Sequence, residues 1–233
     1  QRLHEAMRYA VLDGGKRIRP LLVFATGTLF GAKTSVMAQV ASAVEMIHAY
    51  SLIHDDMPCM DNDVLRRGKP TVHVQFGEAM ALLAGDALQA QAFVVLSNVN
   101  DDAVLAVKRY QILSGAAGSL GMCGGQAIDL DSIGKQLTIG QLEQMHRLKT
   151  GALLKASVML GALSAKIPSP EENRALEEYA KAAGLAFQVV DDILDVTADP
   201  EMLGKTPGKD LMNHKPTYVS LLGIENSKKL AEQ

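Results

Sequence analysis

The 233-residue chain contains no tryptophan, only five tyrosines and five phenylalanines, and two cysteines. Scarce aromatics, a net charge of −3 and no aromatic-rich basic patch argue against general nucleic-acid binding. Cys59 and Cys123 have no CxxC or paired-histidine context, which excludes a disulfide framework and a structural zinc site and points to a reducing compartment. No apolar run reaches the ~18 residues that cross a bilayer, the longest candidates being cut by Lys155 or Asp86, so no membrane span is expected. At 48% hydrophobic residues, disorder is excluded too.

Alanine and leucine, by contrast, occur 30 times each and sit at the top of the helix scale. The expected fold is all-α, a single domain over 1–233, since no repeat or composition step marks a boundary. Met37, Val40, Ala41, Val44, Ile47 and Leu52 recur at helical spacing and make about 35–55 a buried helix that Pro58 ends. Further helices are expected at roughly 2–12, 16–29, 77–97, 103–122, 139–165 and 172–195. Asp199–Pro216, rich in Pro, Gly and Lys, reads as a long functional loop. The chain opens in a helical run at Gln1; part of both termini is expected to be missing, and the localisation is read as cytoplasmic with organellar import left open.

The densest anomaly is acidic. Asp55, Asp56, Asp61 and Asp63 fall within nine residues at the C-terminal end of a buried helix, where the dipole already disfavours negative charge. The pattern recurs downstream, where Gln188, Asp191, Asp192 and Asp195 share one helix face among apolar neighbours. A solvated acidic surface explains either stripe alone. Two in one apolar helical chain point to a hard divalent cation, Mg²⁺, held by few protein oxygens and several phosphate oxygens.

Basic clusters complement them. Gly14-Gly15-Lys16-Arg17-Ile18-Arg19 puts three cations beside two glycines, with Lys16 and Arg19 on one face. Arg66 and Arg67 follow the first stripe closely; Lys149-Thr150 interrupts an apolar helix; Lys205 and Lys215 lie in the long loop. Arginine forks suit phosphate oxygens. The Gly115–Gly125 run lacks a P-loop pattern and reads as close helix packing, while Gln126 and Asp129 after it are either packed polar groups or pocket lining.

Together these segments resemble the trans-isoprenyl diphosphate synthases, the farnesyl and geranylgeranyl diphosphate synthase family. The resemblance runs through GGKRIRP at 14–20, EMIHAYSLIHDDMPCMDNDVLRRG at 45–68, GDAL at 85–88, GGQAIDL at 124–130, HRLKTGAL at 146–153 and FQVVDDILD at 187–195. It implies helices around a deep apolar pocket, the isoprenoid synthase fold, usually as a homodimer. It implies three Mg²⁺, with Asp55 and Asp61 holding two and Asp191 the third, and Asp56 and Asp195 as supporting groups. Arg66, Lys149 and Lys205 match positions that grip the allylic diphosphate, with Lys215 added from the same loop. Gly15, Lys16, Arg19, His48 and Arg67 match the isopentenyl diphosphate site; Thr150, Gln188 and Asp129 match groups facing the developing carbocation. The implied reaction is Mg²⁺-assisted ionisation of the allylic C–O bond, attack by the isopentenyl double bond, and loss of a proton.

Tyr50, with Ser51 beside it, lies five residues before Asp55, ~7.5 Å nearer the helix start, where the ring would floor the product pocket. The resemblance associates an aromatic there, and the long Asp55-to-Asp61 spacing, with a C15 product, farnesyl diphosphate; MPCMDN looks equally like C20 synthases. Three other readings compete. Two ExxH pairs, Glu45/His48 and Glu143/His146, suit a di-iron carboxylate oxidoreductase but leave the aspartates and cations idle. A terpene cyclase needs no second diphosphate site, and a non-catalytic synthase subunit would not need intact acidic stripes.

Overall fold

Glycine, proline and capping residues decide where each helix of this chain stops. The computed structural model describes residues 1–12, 14–99, 102–197 and 217–232. It contains α1 (Arg2–Leu12), α2 (Ile18–Leu29), α3 (Thr34–Asp55), strands β1 (Leu65–Arg66) and β2 (Lys69–Pro70), α4 (Val72–Phe76), α5 (Glu78–Ser97) and α6 (Ala103–Ala117). Beyond these come α7 (Met122–Asp131), α8 (Ile139–His146), a π-helical turn (Arg147–Gly151), α9 (Ala152–Leu163), α10 (Pro170–Thr197), α11 (Tyr218–Leu222) and α12 (Ile224–Ala231). The fold is all-α; among the described residues the exception is one hairpin, whose turn residues Arg67 and Gly68 both have positive φ, as a two-residue turn between twisted strands demands.

The observed elements depart from the sequence expectation in several places, two of them near candidate site residues. The helix expected over 103–122 stops at Ala117, and a separate α7 follows, through the glycines read as close helix packing. The run expected over 139–165 contains the π turn. Both departures bear on the site. Local capping is otherwise legible: Thr138 and Gln141 form a reciprocal capping box at α8, and Ser169 with Glu172 does the same before Pro170 opens α10.

The chain divides into two compact units. The first comprises 1–111 and 160–167. Its centre is α3, which lies along α5 and α2 and buries Val40, Ala43, Val44 and Ile47 completely. An Ile47→Ala change there removes well-packed volume and would cost about 2 to 5 kcal/mol. Arg109, fully buried, donates from Nε and Nη2 to the Leu163 carbonyl at 3.0 and 2.8 Å, satisfying the end of α9 with a cation.

The second unit comprises 112–159 and 168–233. Its core gathers Leu142, Met145, Val189 and Tyr218, with Ile128, Leu185 and Ile193 packed around them.

One expectation needs correction. Although no run is uninterrupted, α3 and α5 are long and apolar enough, by length and composition, to cross a bilayer. More than half of the α3 window is buried inside the protein, as befits a core helix. Only a third of the α5 window is buried, and it carries the exposed Asp86.

Candidate active site

In the first unit, the end of α3 folds back on itself. Asp61 N–H donates to the Asp55 carbonyl at 2.9 Å and Asp63 N–H to the Asp56 carbonyl at 3.1 Å, with Asn62 at φ 50 making the reversal. The six-residue spacing of Asp55 and Asp61 thus becomes adjacency at a helix C-terminus. Both side chains are half-buried. Asp56 is different: its side chain is 4% exposed and is gripped by Arg66, whose Nε lies 2.8 Å from Oδ2 and whose Nη2 lies 2.6 Å from Oδ1. Burial opposes the Arg66 charge, but this hydrogen-bonded pairing, with Asp55 and Asp61 nearby, raises its pKa above the usual value. Asp56 is therefore held by a protein cation, and Arg66 is an arginine already oriented by a carboxylate.

A cationic group surrounds His48 in the same unit. Burial, then the charges of Arg19, Arg67, Arg66 and Arg17, hold its pKa well below 6.5, so the ring is neutral at pH 7. Arg19 is half-buried, its Nε sealed from solvent without a hydrogen-bond partner; burial lowers its pKa to about 10, against the pull of Glu45. Lys16 is exposed. Arg67 Nη1 donates to the Gly14 carbonyl at 3.0 Å, and its guanidinium lies over Gly15, where a Cβ would come within 2.6 Å of Cζ. Gly15, at φ +96, is thus required twice, by backbone conformation and by the arginine above it. Sequence reasoning passed over Arg17 and its partner Glu45, to which Arg17 Nη1 donates. The signal was available: Glu45 stands in the buried stripe of α3 and needs a cation.

In the second unit, the π turn carries Lys149 and Thr150. Such turns replace regular i→i−4 bonding and recur at functional sites. Gly125 lets α7 reach this turn, since a Cβ there would lie 2.1 Å from Lys149 N. Lys149 Nζ pairs with buried Asp129 at 2.6 Å, and Gln126, one helical turn before Asp129, is buried with both amide atoms unpartnered. Asp129 is thus packed as an ion-pair partner of Lys149, and Gln126 is a buried amide without a protein partner among the described residues. Thr150 Oγ1 donates to Gln188 Oε1 at 3.1 Å, and Gln188 Nε2 donates to Asp192 Oδ1 at 2.9 Å.

The second stripe is divided. Asp192 and Asp195 are buried at 4% and 5% exposure, whereas Asp191 is half-buried. Each Asp-Asp pair therefore has an accessible first member, Asp55 or Asp191, and a buried second member held by protein donors. Tyr50 is buried and meets His54 edge-on at 5.8 Å; Ser51 Oγ donates to the His48 carbonyl at 2.9 Å. Lys205 and Lys215 lie outside the described residues.

Among the described residues no three acidic, histidine or cysteine side chains converge as a complete protein cage would. Mg²⁺ does not need one, because it keeps several waters and substrate oxygens and takes one or two carboxylates. The paired half-buried Asp55 and Asp61 fit that donor set.

The polyprenyl synthetase family profile matches residues 1–233. The chain belongs to this family of trans-isoprenyl diphosphate synthases. It is 54% identical over 230 residues to the farnesyl diphosphate synthase of Escherichia coli K12, covering 97% of this chain and 77% of that protein. It is 48% identical to a chloroplastic heterodimeric geranylgeranyl pyrophosphate synthase large subunit of Arabidopsis thaliana, covering 100% of this chain and 64% of that protein. Among solved structures, a geranyltransferase from Helicobacter pylori, complexed with magnesium and isoprenyl diphosphate, matches with TM-score 0.90 at 38% identity over 99% of this chain and 77% of that one. For a polyprenyl synthetase, the di-iron and cyclase readings fall away.

Proposed function

We propose that the protein condenses dimethylallyl and then geranyl diphosphate with isopentenyl diphosphate, releasing diphosphate and ending at farnesyl diphosphate. The observation that carries this is the repeated arrangement of the acidic pairs, in which Asp55 and Asp191 stay accessible while Asp56 and Asp192 are engaged by protein groups.

Asp55 and Asp61 would hold two Mg²⁺ and Asp191 a third; bound there, the ions supply charge neutralisation of the allylic diphosphate and polarisation of its C–O bond. The chain's own groups do the rest. Arg66, pre-oriented by Asp56, and Lys149, pre-oriented by Asp129, present fixed cations to that diphosphate, with Lys205 and Lys215 assigned to it as well. Lys16, Arg19 and Arg67 bind the isopentenyl diphosphate, whose negative charge offsets their mutual repulsion. Neutral His48 adds a hydrogen bond without adding charge. Thr150 and Gln188 orient each other, so their oxygens can face positive charge developing on carbon. The departing diphosphate, released beside the new bond, is assigned as the base that takes the proton.

Buried Tyr50 supports the C15 limit. The apolar exposed positions Leu82, Leu83 and Val94 of α5 support a homodimer through that helix. The chain is assigned to the cytoplasm, a reading that its two exposed free cysteines support. Diphosphate release from geranyl plus isopentenyl diphosphate tests the reading. Release that needs both substrates and Mg²⁺ and stops with EDTA is expected; no release under any Mg²⁺ concentration would reject catalysis by this chain alone and favour a subunit role.

A further inference from the structure

The second unit contains a closed circuit of contacts that its acidic helix does not need for cation binding. Thr150 donates to Gln188, and Gln188 donates to one oxygen of Asp192. The other oxygen, Oδ2, accepts the backbone N–H of Tyr218 at 2.8 Å. The Tyr218 ring stacks on His146, with centroids 5.5 Å apart and planes 23° off parallel, and His146 stands one helical turn before Thr150. Every member is buried or half-buried, and Tyr218 is 1% exposed.

We propose that Asp192 is a positioning residue, a strut that ties the start of α11 to the Thr150–Gln188 pair, and that it does not ligate a cation. The argument is one of burial and place. Asp192 is 4% exposed, with one oxygen accepting from a side-chain amide and the other from a main-chain N–H 26 residues away along the chain. A cation would have to enter that buried position, and one that displaced either donor would leave a buried N–H unsatisfied, a penalty of the kind native proteins avoid. Asp191, adjacent in sequence but turned by about 100° on the helix, is the accessible member. Through Gln188, Asp192 fixes the amide orientation that lets Gln188 Oε1 accept from Thr150; with Asp192 gone, Gln188 Nε2 loses the acceptor that sets its flip state.

This inference rests on the proposed condensation only for its kinetic arm. The test compares Asp192→Asn, Asp192→Ala and Asp191→Asn with the unaltered protein, by steady-state kinetics over a Mg²⁺ series and by amide hydrogen exchange of the Tyr218–Leu222 segment. Asparagine retains an acceptor for the Tyr218 N–H, but its amide then meets Gln188 Nε2 and forces a flip that takes Gln188 Oε1 away from Thr150. Asp192→Asn is therefore expected to keep the Tyr218 exchange rate and half-saturating Mg²⁺ within twofold while losing tenfold or more in kcat. Asp192→Ala should lose tenfold or more in kcat with KM for isopentenyl diphosphate within threefold, and should exchange the Tyr218 amide at least tenfold faster. Asp191→Asn should raise half-saturating Mg²⁺ tenfold. A tenfold Mg²⁺ shift in Asp192→Asn would make Asp192 a ligand and overturn the proposal. So would unchanged Tyr218 exchange in Asp192→Ala, or faster exchange in Asp192→Asn should the alanine variant fail to fold. If the unaltered protein condenses nothing, the exchange arm still decides the strut.

Discussion

Arg66 clasps Asp56 with two edges of its guanidinium, Nε and Nη2, and so both residues of the pair are fixed before any substrate arrives. Breaking a fully buried pair by removing one partner costs about 3 to 5 kcal/mol; with Arg66 a third exposed, Arg66→Ala is expected to cost about 2 kcal/mol. Urea unfolding measures this. Arg66→Lys should recover little, because an ammonium cannot make the fork. A stability loss below 0.5 kcal/mol in Arg66→Ala would show that Asp56 does not depend on this arginine.

Gly15 is where backbone and side chain make the same demand. Gly15→Ala puts a methyl within contact of the Arg67 guanidinium at a φ of +96, which disfavours any side chain. Arg67 must move. The expected outcome is a KM for isopentenyl diphosphate raised tenfold or more with helical circular dichroism unchanged; an unaltered KM would remove Arg67 from that site.

Acid should loosen the second unit through His146. Burial, partly offset by Asp129 and reinforced by Lys149, lowers its folded pKa to about 4, against 6.5 for a free ring, and Glu143 and Asp192 face the Tyr218 on which it stacks. Above pH 6.5 the ring is neutral in both states and the stacked contact contributes fully. Between pH 6.5 and about 4 the unfolded chain takes up a proton that the folded chain refuses, so stability falls with pH, by on the order of 3 kcal/mol. His48, depressed in the same direction, adds to the slope. His146→Phe keeps a ring against Tyr218 and removes the titration, so its stability should fall less between pH 7 and 4.5 than that of the unaltered protein. Identical slopes would rule out His146 as a source.

Tyr50→Ala should lengthen the product beyond C15, since removing the ring extends the space beside α3. Product mass reads it directly. A product of unchanged length would leave Tyr50 as ordinary packing of α3.

Periodicity made α3 legible almost to the residue, expected at about 35–55 and observed at Thr34–Asp55, because its apolar positions and Pro58 agree. The hairpin at Leu65–Pro70 was not legible: two-residue strands carry no alternation, and the only sign was Arg67-Gly68 in a two-residue turn. The same limit hid α7, where Gly124 and Gly125 serve close packing and lower helix propensity at once. In the site, charge type and spacing picked out the two acidic stripes, and the family resemblance singled out Asp55, Asp61 and Asp191 within them; spacing alone could not separate Asp191 from Asp192. They are neighbours in sequence, and what sets them apart in the structure is burial and the bonds of Asp192 to Gln188 and to Tyr218, 26 residues on. Arg17 escaped because helical spacing put it off the face shared by Lys16 and Arg19, whereas its role depends on Glu45 from another helix.

The most direct test of the whole account is the mass of the product formed from isopentenyl diphosphate and, separately, C5, C10 and C15 allylic diphosphates with Mg²⁺. The account predicts a C15 product from the C5 and C10 starters and no extension of the C15 starter. A C20 product from the C15 starter would contradict the chain-length assignment while keeping the family, and absence of condensation from every starter would contradict the proposed activity itself.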